Sequence, residues 1–223
     1  MSQRNYYEAY DDRYRQIHSL NLHWFALSPS PIVSESLKRY AITEKHKILE
    51  LGCGEGRDAF PLIKQGYDLL ATDISPEAIR FCREQMPQFA RRFQILDCVT
   101  DKLNQTFDFI YAVAVVHMLV PDEDRLAFYR FIRAHLSEGG YALICTMGNG
   151  ETEFQSDIRN AFDLQPRFHG QTGLTVNIAS TSCRVVSFPT FRKELETNRF
   201  TIAEMGLTSS EPDFTQLMYA IVK

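Results

Sequence analysis

Long apolar runs are missing from this 223-residue chain. The longest lies around Ile110–Val116, well short of the roughly 18 residues that a bilayer-spanning helix requires. An excess of positive charge is missing too. Lysine plus arginine total 24 against 28 aspartate plus glutamate, a formal net charge of −4, so a strongly basic face for wrapping nucleic acid is not expected. Cysteine is sparse and unpaired in pattern. Cys53, Cys82, Cys98, Cys145 and Cys183 are odd in number and contain no C-x-x-C, which argues against a disulfide framework or a zinc site and for five reduced thiols. The opening "MSQRNYYEAYDDRYRQ" has no apolar signal core, so a cytoplasmic location is expected. No internal repeat or low-complexity segment stands out.

What is present is ordinary for a globular protein. Hydrophobic residues make up 44% and charged residues 23%, enough for one domain over 1–223 with a well-buried core. "SPSPIV" (28–33) reads as a helix start, with Ser30 as cap and Pro31 in the first turn, where its missing N–H is not needed. From Lys47 a strand–helix rhythm sets in. "KILEL", "DLLATD" (68–73), "FQILD" (93–97), "FDFIYAVAVV" (107–116) and "GGYALICTM" (139–147) read as strands, and the helical patterns 57–65, 75–86 and 122–136 fall among them. That alternation demands a parallel sheet with helices on both faces. After Met147 the rhythm stops. Residues 148–190 are polar, glycine-punctuated and longer than an ordinary connection. A helix at 189–200 and two closing strands follow, the latter an expected antiparallel pair.

The chemistry-bearing stretch is "ELGCGEGRD" (50–58), with Gly52, Gly54 and Gly56 at every second position after Glu50. Bare backbone opening a helix suits close approach of a ligand to free N–H groups. The dinucleotide fingerprint G-x-G-x-x-G would need glycine at 57, where Arg57 stands, and there is no G-K-S/T to cradle phosphates.

"ILELGCGEGRD" resembles the first motif of the class I S-adenosylmethionine (SAM)-dependent methyltransferases. "LLATDIS", "ILDCVTD", "FDFIYAVAVVHML", "LSEGGYALI" and "FPTFRKELETNRFTIAEM" resemble that family's later motifs in order, over about 47–147 and 189–223. The N-terminal "YDDRYRQIHSLNLHWFALSPSP" resembles the opening of the thiopurine-, thiol- and tellurite-resistance-type members. The resemblance implies an α/β fold. It would be a Rossmann-like, seven-stranded, mostly parallel sheet with helices on both faces and a C-terminal antiparallel strand pair. Residues 1–40 would be an N-terminal helical lid and 148–190 a substrate-pocket insert. It implies SAM as cofactor and in-line methyl displacement onto a small-molecule acceptor, with no nucleic acid or membrane as partner. Four readings stay open beside it: a protein methyltransferase, an RNA methyltransferase, an NAD(P)-binding oxidoreductase and a non-catalytic SAM-binding module.

The resemblance also implies roles. Gly52, Cys53, Gly54 and Gly56 would let the methionine part and the ribose lie against backbone. Glu50 would contact the cofactor's amino group, and Arg57 would bind its carboxylate or simply start the helix. Asp73, 21 positions after Gly52, would accept from the ribose hydroxyls. Ile74 would pack on the adenine, Asp97 would accept from the adenine amino group, and the Cys98 N–H would donate to the ring. Ala112 would offer backbone to the methionine moiety.

Methyl transfer from a sulfonium needs alignment and exclusion of water, and a base only when the nucleophile's pKa is high. His117, after the fourth strand, is the candidate base and substrate contact. The aromatics Tyr6, Tyr7, Tyr10, Tyr14 and Trp24 pack an N-terminal helix or reach the ligand, with Tyr14 and Trp24 the substrate-binding candidates. Arg159, Arg167, His169 and Arg184 of the insert could meet an acidic substrate or simply face solvent. No Asp/Asn-Pro-Pro-aromatic motif and no Pro-Cys pair occurs. The metal-binding acids of catechol-type enzymes are replaced at Tyr111 and Ala112, so no metal is expected.

Overall fold

Seven strands form one sheet in the computed structural model, which describes residues 4–24, 28–170 and 172–223. The expectations placed on 1–3, 25–27 and 171, within the lid and the insert, lie outside the described residues. Strands β1 (Lys47–Leu51), β2 (Asp68–Asp73), β3 (Phe93–Ile95), β4 (Phe107–Val113) and β5 (Leu136–Met147) are parallel. The closing pair, β10 (Ile202–Ser210) and β11 (Phe214–Val222), joins antiparallel through β11 on β5. The order is β10-β11-β5-β4-β1-β2-β3. Chain direction across the sheet reverses between β1 and β4, and the carboxyl ends of strands at such a point are where ligands bind.

The near-continuous apolar runs of β1 and β4 follow from burial on both faces. Along β4, Phe109, Tyr111 and Val113 join one core, with helices α2 (Pro31–Arg39), α3 (Ala59–Lys64) and α4 (Pro76–Gln85). Ile110 and Ala112 point the other way, into the core of α5 (Asp122–His135) and α6 (Phe188–Thr197). The period-2 alternation of a strand puts neighbours on opposite faces.

Ser75 caps α4, its Oγ accepting from the Ala78 N–H at 3.0 Å. Ser30 stands at the N-cap of α2 but does not cap it. Its N–H and hydroxyl instead donate to the Asp58 carboxylate at 2.6 and 3.0 Å, which ties the N-terminal segment to the glycine loop. Tertiary pairing with a buried acid outcompetes the local cap.

The insert is not structureless. It carries a short ladder of β6 (Phe154–Gln155) with β9 (Arg184–Val185), and a hairpin of β7 (Leu164–His169) with β8 (Leu174–Ala179). Helix α1 (Ala9–Ser19) packs Ile17 against Val176 and Ile178 of β8. Each such fully buried side chain stabilises by about 1.5–3 kcal/mol. Arg13 of α1 donates to the Ala179 and Ser180 carbonyls and to the Thr181 hydroxyl, so α1 and the 148–190 segment form one layer across the strand ends.

Candidate functional site

A cleft of about 1030 Å3 opens at the ends of β1, β2 and β4. The glycine loop is one wall, and its shape follows from positive φ. Gly54 has φ +52°, and a Cβ there would stand 2.5 Å from the Tyr14 hydroxyl. A Cβ at Gly52 (φ +73°) would overlap Val115. These glycines are therefore required first by the protein's own packing, which brings the lid and the β4 exit onto the loop. Gly56 does not line the cleft; its bare face is turned to the Phe60 ring at the start of α3.

Glu50, Gly52, Cys53, Gly54 and Arg57 all line the cleft, as do Asp73, Ile74, Asp97, Cys98 and Tyr14. Ala112, expected beside them, does not. Its place on the pleat sends it into the α5–α6 core, and Val113, Ala114 and Val115 take the wall instead. Ala114 has φ +58°, a sharp exit from β4 that composition does not signal. Tyr7, Tyr10, Glu55, Asp58, Met118 and Phe214 are further lining residues. The spacing 7, 10, 14 is a helical stripe, so the aromatic pattern does double duty: it packs the lid and faces the cleft.

The acids of the cleft differ in how they are satisfied. Glu50 is 4% exposed, and its Oε2 is buried with no hydrogen-bond partner. Burial, with the Asp58 charge adding to it, pushes its carboxyl well above the usual range. Asp73 accepts from the Gly54 and Ser75 N–H groups, both at 2.8 Å. It thus holds the loop and the start of α4 together. Burial raises its pKa to about 6 against the lowering effect of those two bonds. Asp97 accepts from Tyr7 (3.0 Å), Val99 N–H (2.8 Å) and Thr100 (3.1 Å), leaving a carboxylate room for about one more donor.

A second cavity of about 1350 Å3 adjoins the first and shares Tyr10, Met118 and Phe214 with it. Trp24 and His117 line this one, not the cleft. Arg13, Arg167 and His169 line it too, whereas Arg159 and Arg184 do not. His117 sits on a 3-10 turn, Val116–Met118, that several elements pin. Arg125 of α5 donates to the Val116 and Leu119 carbonyls at 2.7 and 3.2 Å, and Ser182 of the insert donates to that of Met118 at 2.7 Å. His117 is 4% exposed, and its Nδ1 has no partner. Burial, then the nearby charges of Arg125 and Arg13, lower its pKa to about 3, so the ring is neutral. Arg13 lies over the rings of Trp24 (4.9 Å) and Tyr10 (5.2 Å), which is the geometry of cation–π packing.

Comparison with known proteins matches this architecture. Residues 49–142 match the family described as "Methyltransferase domain". A probable S-adenosyl-L-methionine-dependent methyltransferase TehB of Haemophilus influenzae is 30% identical over 100 residues, covering 44% of this chain and 35% of that one. Hemagglutinin 1 of Eikenella corrodens is 37% identical over 107 residues, covering 44% and 33%. The solved Burkholderia thailandensis 1,6-didemethyltoxoflavin-N1-methyltransferase shares the fold, with TM-score 0.70, 16% identity, and coverage of 97% of this chain and 88% of that one. Residues 49–142 thus match a methyltransferase domain, and the whole chain has the fold of solved SAM-dependent methyltransferases. It spans about a third of the length of the curated relatives it matches, and residues 49–142 supply most of the cleft's lining.

Proposed function

We propose that this chain is a working SAM-dependent methyltransferase whose acceptor is a small molecule. The observation that carries the reading is the buried, unpartnered carboxylate oxygen of Glu50 on the wall of the cleft. A buried acid without a donor is costly, and a cationic amino group would satisfy it. The rest of the cleft fits the same cofactor. Asp73 would accept from ribose hydroxyls, Ile74 would lie on the adenine and Asp97 would take its amino group. When bound, SAM supplies an electrophilic methyl group on a sulfonium.

The chain's own residues do the remaining work. Tyr7, Tyr10 and Tyr14 wall the cleft and exclude water. We assign the acceptor to the second cavity, which the lid (1–40) and the insert (148–190) wall within a single domain. Met118 and Phe214, shared by both cavities, would guide its approach. His117 is neutral, and a pKa of about 3 makes it a poor proton trap. We therefore give it the role of accepting a hydrogen bond and orienting the acceptor. That role suits a thiol or a neutral amine, whose S–H or N–H can donate to the ring and whose proton passes to solvent as the methyl group is transferred. A small acceptor is further supported by the 1,6-didemethyltoxoflavin bound in the Burkholderia neighbour. The free cysteines fit a cytoplasmic, reducing setting.

The test is thermal unfolding with SAM, S-adenosylhomocysteine, NAD or NADP in separate samples. Ligand at about a hundred times its dissociation constant adds roughly 2.7 kcal/mol, a rise of about 5–10 °C for a chain of this size. A rise with SAM and its demethylated product alone is expected and opens an acceptor screen. A rise with NAD or NADP alone overturns the reading.

A further inference from the structure

Beside the glycine loop stands a group of side chains that methyl transfer does not use. His18, His23 and Glu55 each place one ligand atom within 4.8 Å of the others, the single such group among the described residues. His18 ends α1, and the chain then turns at Asn21 (φ +55°), which brings His23 round beside it. Glu55 reaches them from the tip of the loop, between Gly54 and Gly56. His18 Nε2 lies 3.0 Å from Glu55 Oε1, and His23 Nδ1 lies 3.2 Å from the same oxygen.

The surroundings are those of a metal site. His18 turns its other nitrogen, Nδ1, to Glu77 Oε1 at 2.7 Å. In this pairing Nδ1–H donates to Glu77, and Nε2 faces Glu55, able to offer its lone pair to a metal ion once any proton on it has left. Glu55 is itself held, its Oε2 accepting from the Trp24 N–H at 2.9 Å. Two ring nitrogens and a carboxylate oxygen thus converge on one small volume. Lone pairs cannot meet there without a cation between them, so the space belongs either to protons or to a metal ion.

We propose that His18, His23 and Glu55 bind one divalent transition-metal ion of the zinc type, which clasps the N-terminal helix to the glycine loop. Two imidazoles and one carboxylate are a zinc donor set. Bonds of roughly 2.0–2.2 Å place tetrahedral ligands roughly 3.3–3.6 Å apart, so Glu55 Oε1 needs to part from each ring nitrogen by only a few tenths of an ångström. The His23 side chain is 42% exposed, which leaves the fourth position to water. The ion takes the place of the protons held between these groups, and they pass to solvent. Because Glu55 lines the cleft and α1 carries Tyr10 and Tyr14, the ion locks the lid on the cofactor side.

The test uses the untagged full chain, stripped with chelator and titrated with Co2+ as a visible-absorbing probe, then with Zn2+. Saturation at one Co2+ per chain with a tetrahedral ligand-field spectrum is expected. One Zn2+ should displace it, and Zn2+ should raise the unfolding midpoint. His23→Ala, at a half-exposed position, should weaken Co2+ binding at least tenfold while the variant's unfolding midpoint without metal shows that it folds. Glu77→Gln, which touches no metal, should weaken it roughly 10–100-fold. No saturable spectrum in the wild-type chain overturns the proposal, because protons then fill the site. Equal Co2+ affinity in wild type and His23→Ala also overturns it, because the ion then lies elsewhere. Neither readout depends on SAM or on turnover, so the outcome is separate from that of the methyltransferase reading.

Discussion

The two cavities that meet at Tyr10, Met118 and Phe214 are built in opposite ways. The cleft is made mainly from strand ends and the turns that leave them, and it sets five acids, Glu50, Glu55, Asp58, Asp73 and Asp97, against one base, Arg57. The second cavity is made from α1, the insert and the 116–118 turn, and it presents Arg13, Arg167 and two histidines beside one acid, Asp213. The matched family segment, 49–142, contains most of the first wall and little of the second. The half that would take a cationic cofactor is the half held in common with relatives. On the proposed function, the half that would choose the acceptor lies mostly outside that segment, in residues 1–40 and 148–190.

That division can be broken or sharpened by substitution. Gly54→Val should have the largest effect. The residue needs φ +52°, and its Cβ would stand against the Tyr14 hydroxyl, so loop and lid cannot close together. SAM affinity by titration calorimetry should fall more than a hundredfold, and the unfolding midpoint should drop. Wild-type affinity would show that the loop is not part of the cofactor wall.

Asp73→Ala should weaken SAM about 10–100-fold, since a hydrogen bond to a charged group is worth roughly 1.5–3 kcal/mol. It should leave the acceptor KM unchanged; a shift in KM alone would erase the distinction between the cavities. With a pKa of about 6, Asp73 is mostly ionised at pH 7 and mostly protonated at pH 5. SAM affinity should therefore fall roughly tenfold between those values, and Asp73→Asn should flatten the dependence. The ligand-free fold should respond with the opposite sign. Burial raises this pKa, so the contribution of Asp73 to stability is full below the unfolded value near ~4 and is lost as pH rises through about 6.

His117→Ala should leave SAM binding intact and slow turnover of the acceptor by roughly tenfold, the worth of one hydrogen bond of about 1–1.5 kcal/mol. At saturating SAM, where the titration of Asp73 does not enter, the wild-type pH–rate profile should show no limb near pH 6.5, because the ring is already neutral there. Such a limb, absent in the alanine variant, would make His117 a true base. The smallest effect belongs to Arg159→Ala. Its pairing with Asp157 is on the exposed surface of the insert, and neither the unfolding midpoint nor turnover should change measurably.

The strand–helix alternation, the seven-stranded and mostly parallel sheet implied by the family resemblance, and the loop carboxylate were all legible from residue order. The reason is that each rests on a local pattern: apolar runs, glycine spacing and helix starts. Ser30 was legible as the residue before a helix but not as a partner of Asp58, which lies 28 residues away. Ala112 was placed by its position in a motif, and the pleat of β4 moved the wall one residue onward. The hairpin at 164–179 escaped notice because most of its residues face solvent. Val176, Ile178 and Ala179 bury themselves against α1, an element 160 residues earlier in the chain.

By itself, the sequence determined the class I fold and the positions of the glycine loop, Glu50 and Asp73, because these depend on backbone conformation and on chemistry carried by adjacent residues. Only the tertiary structure decided which residues share a cavity. It brought Tyr7, Tyr10 and Tyr14 over the loop, turned His117 into a second chamber, and set His18 and His23 against Glu55. Those encounters join segments far apart in the chain. Their geometry is fixed by packing between surfaces that no local pattern records, and by buried polar groups finding partners wherever the fold places them.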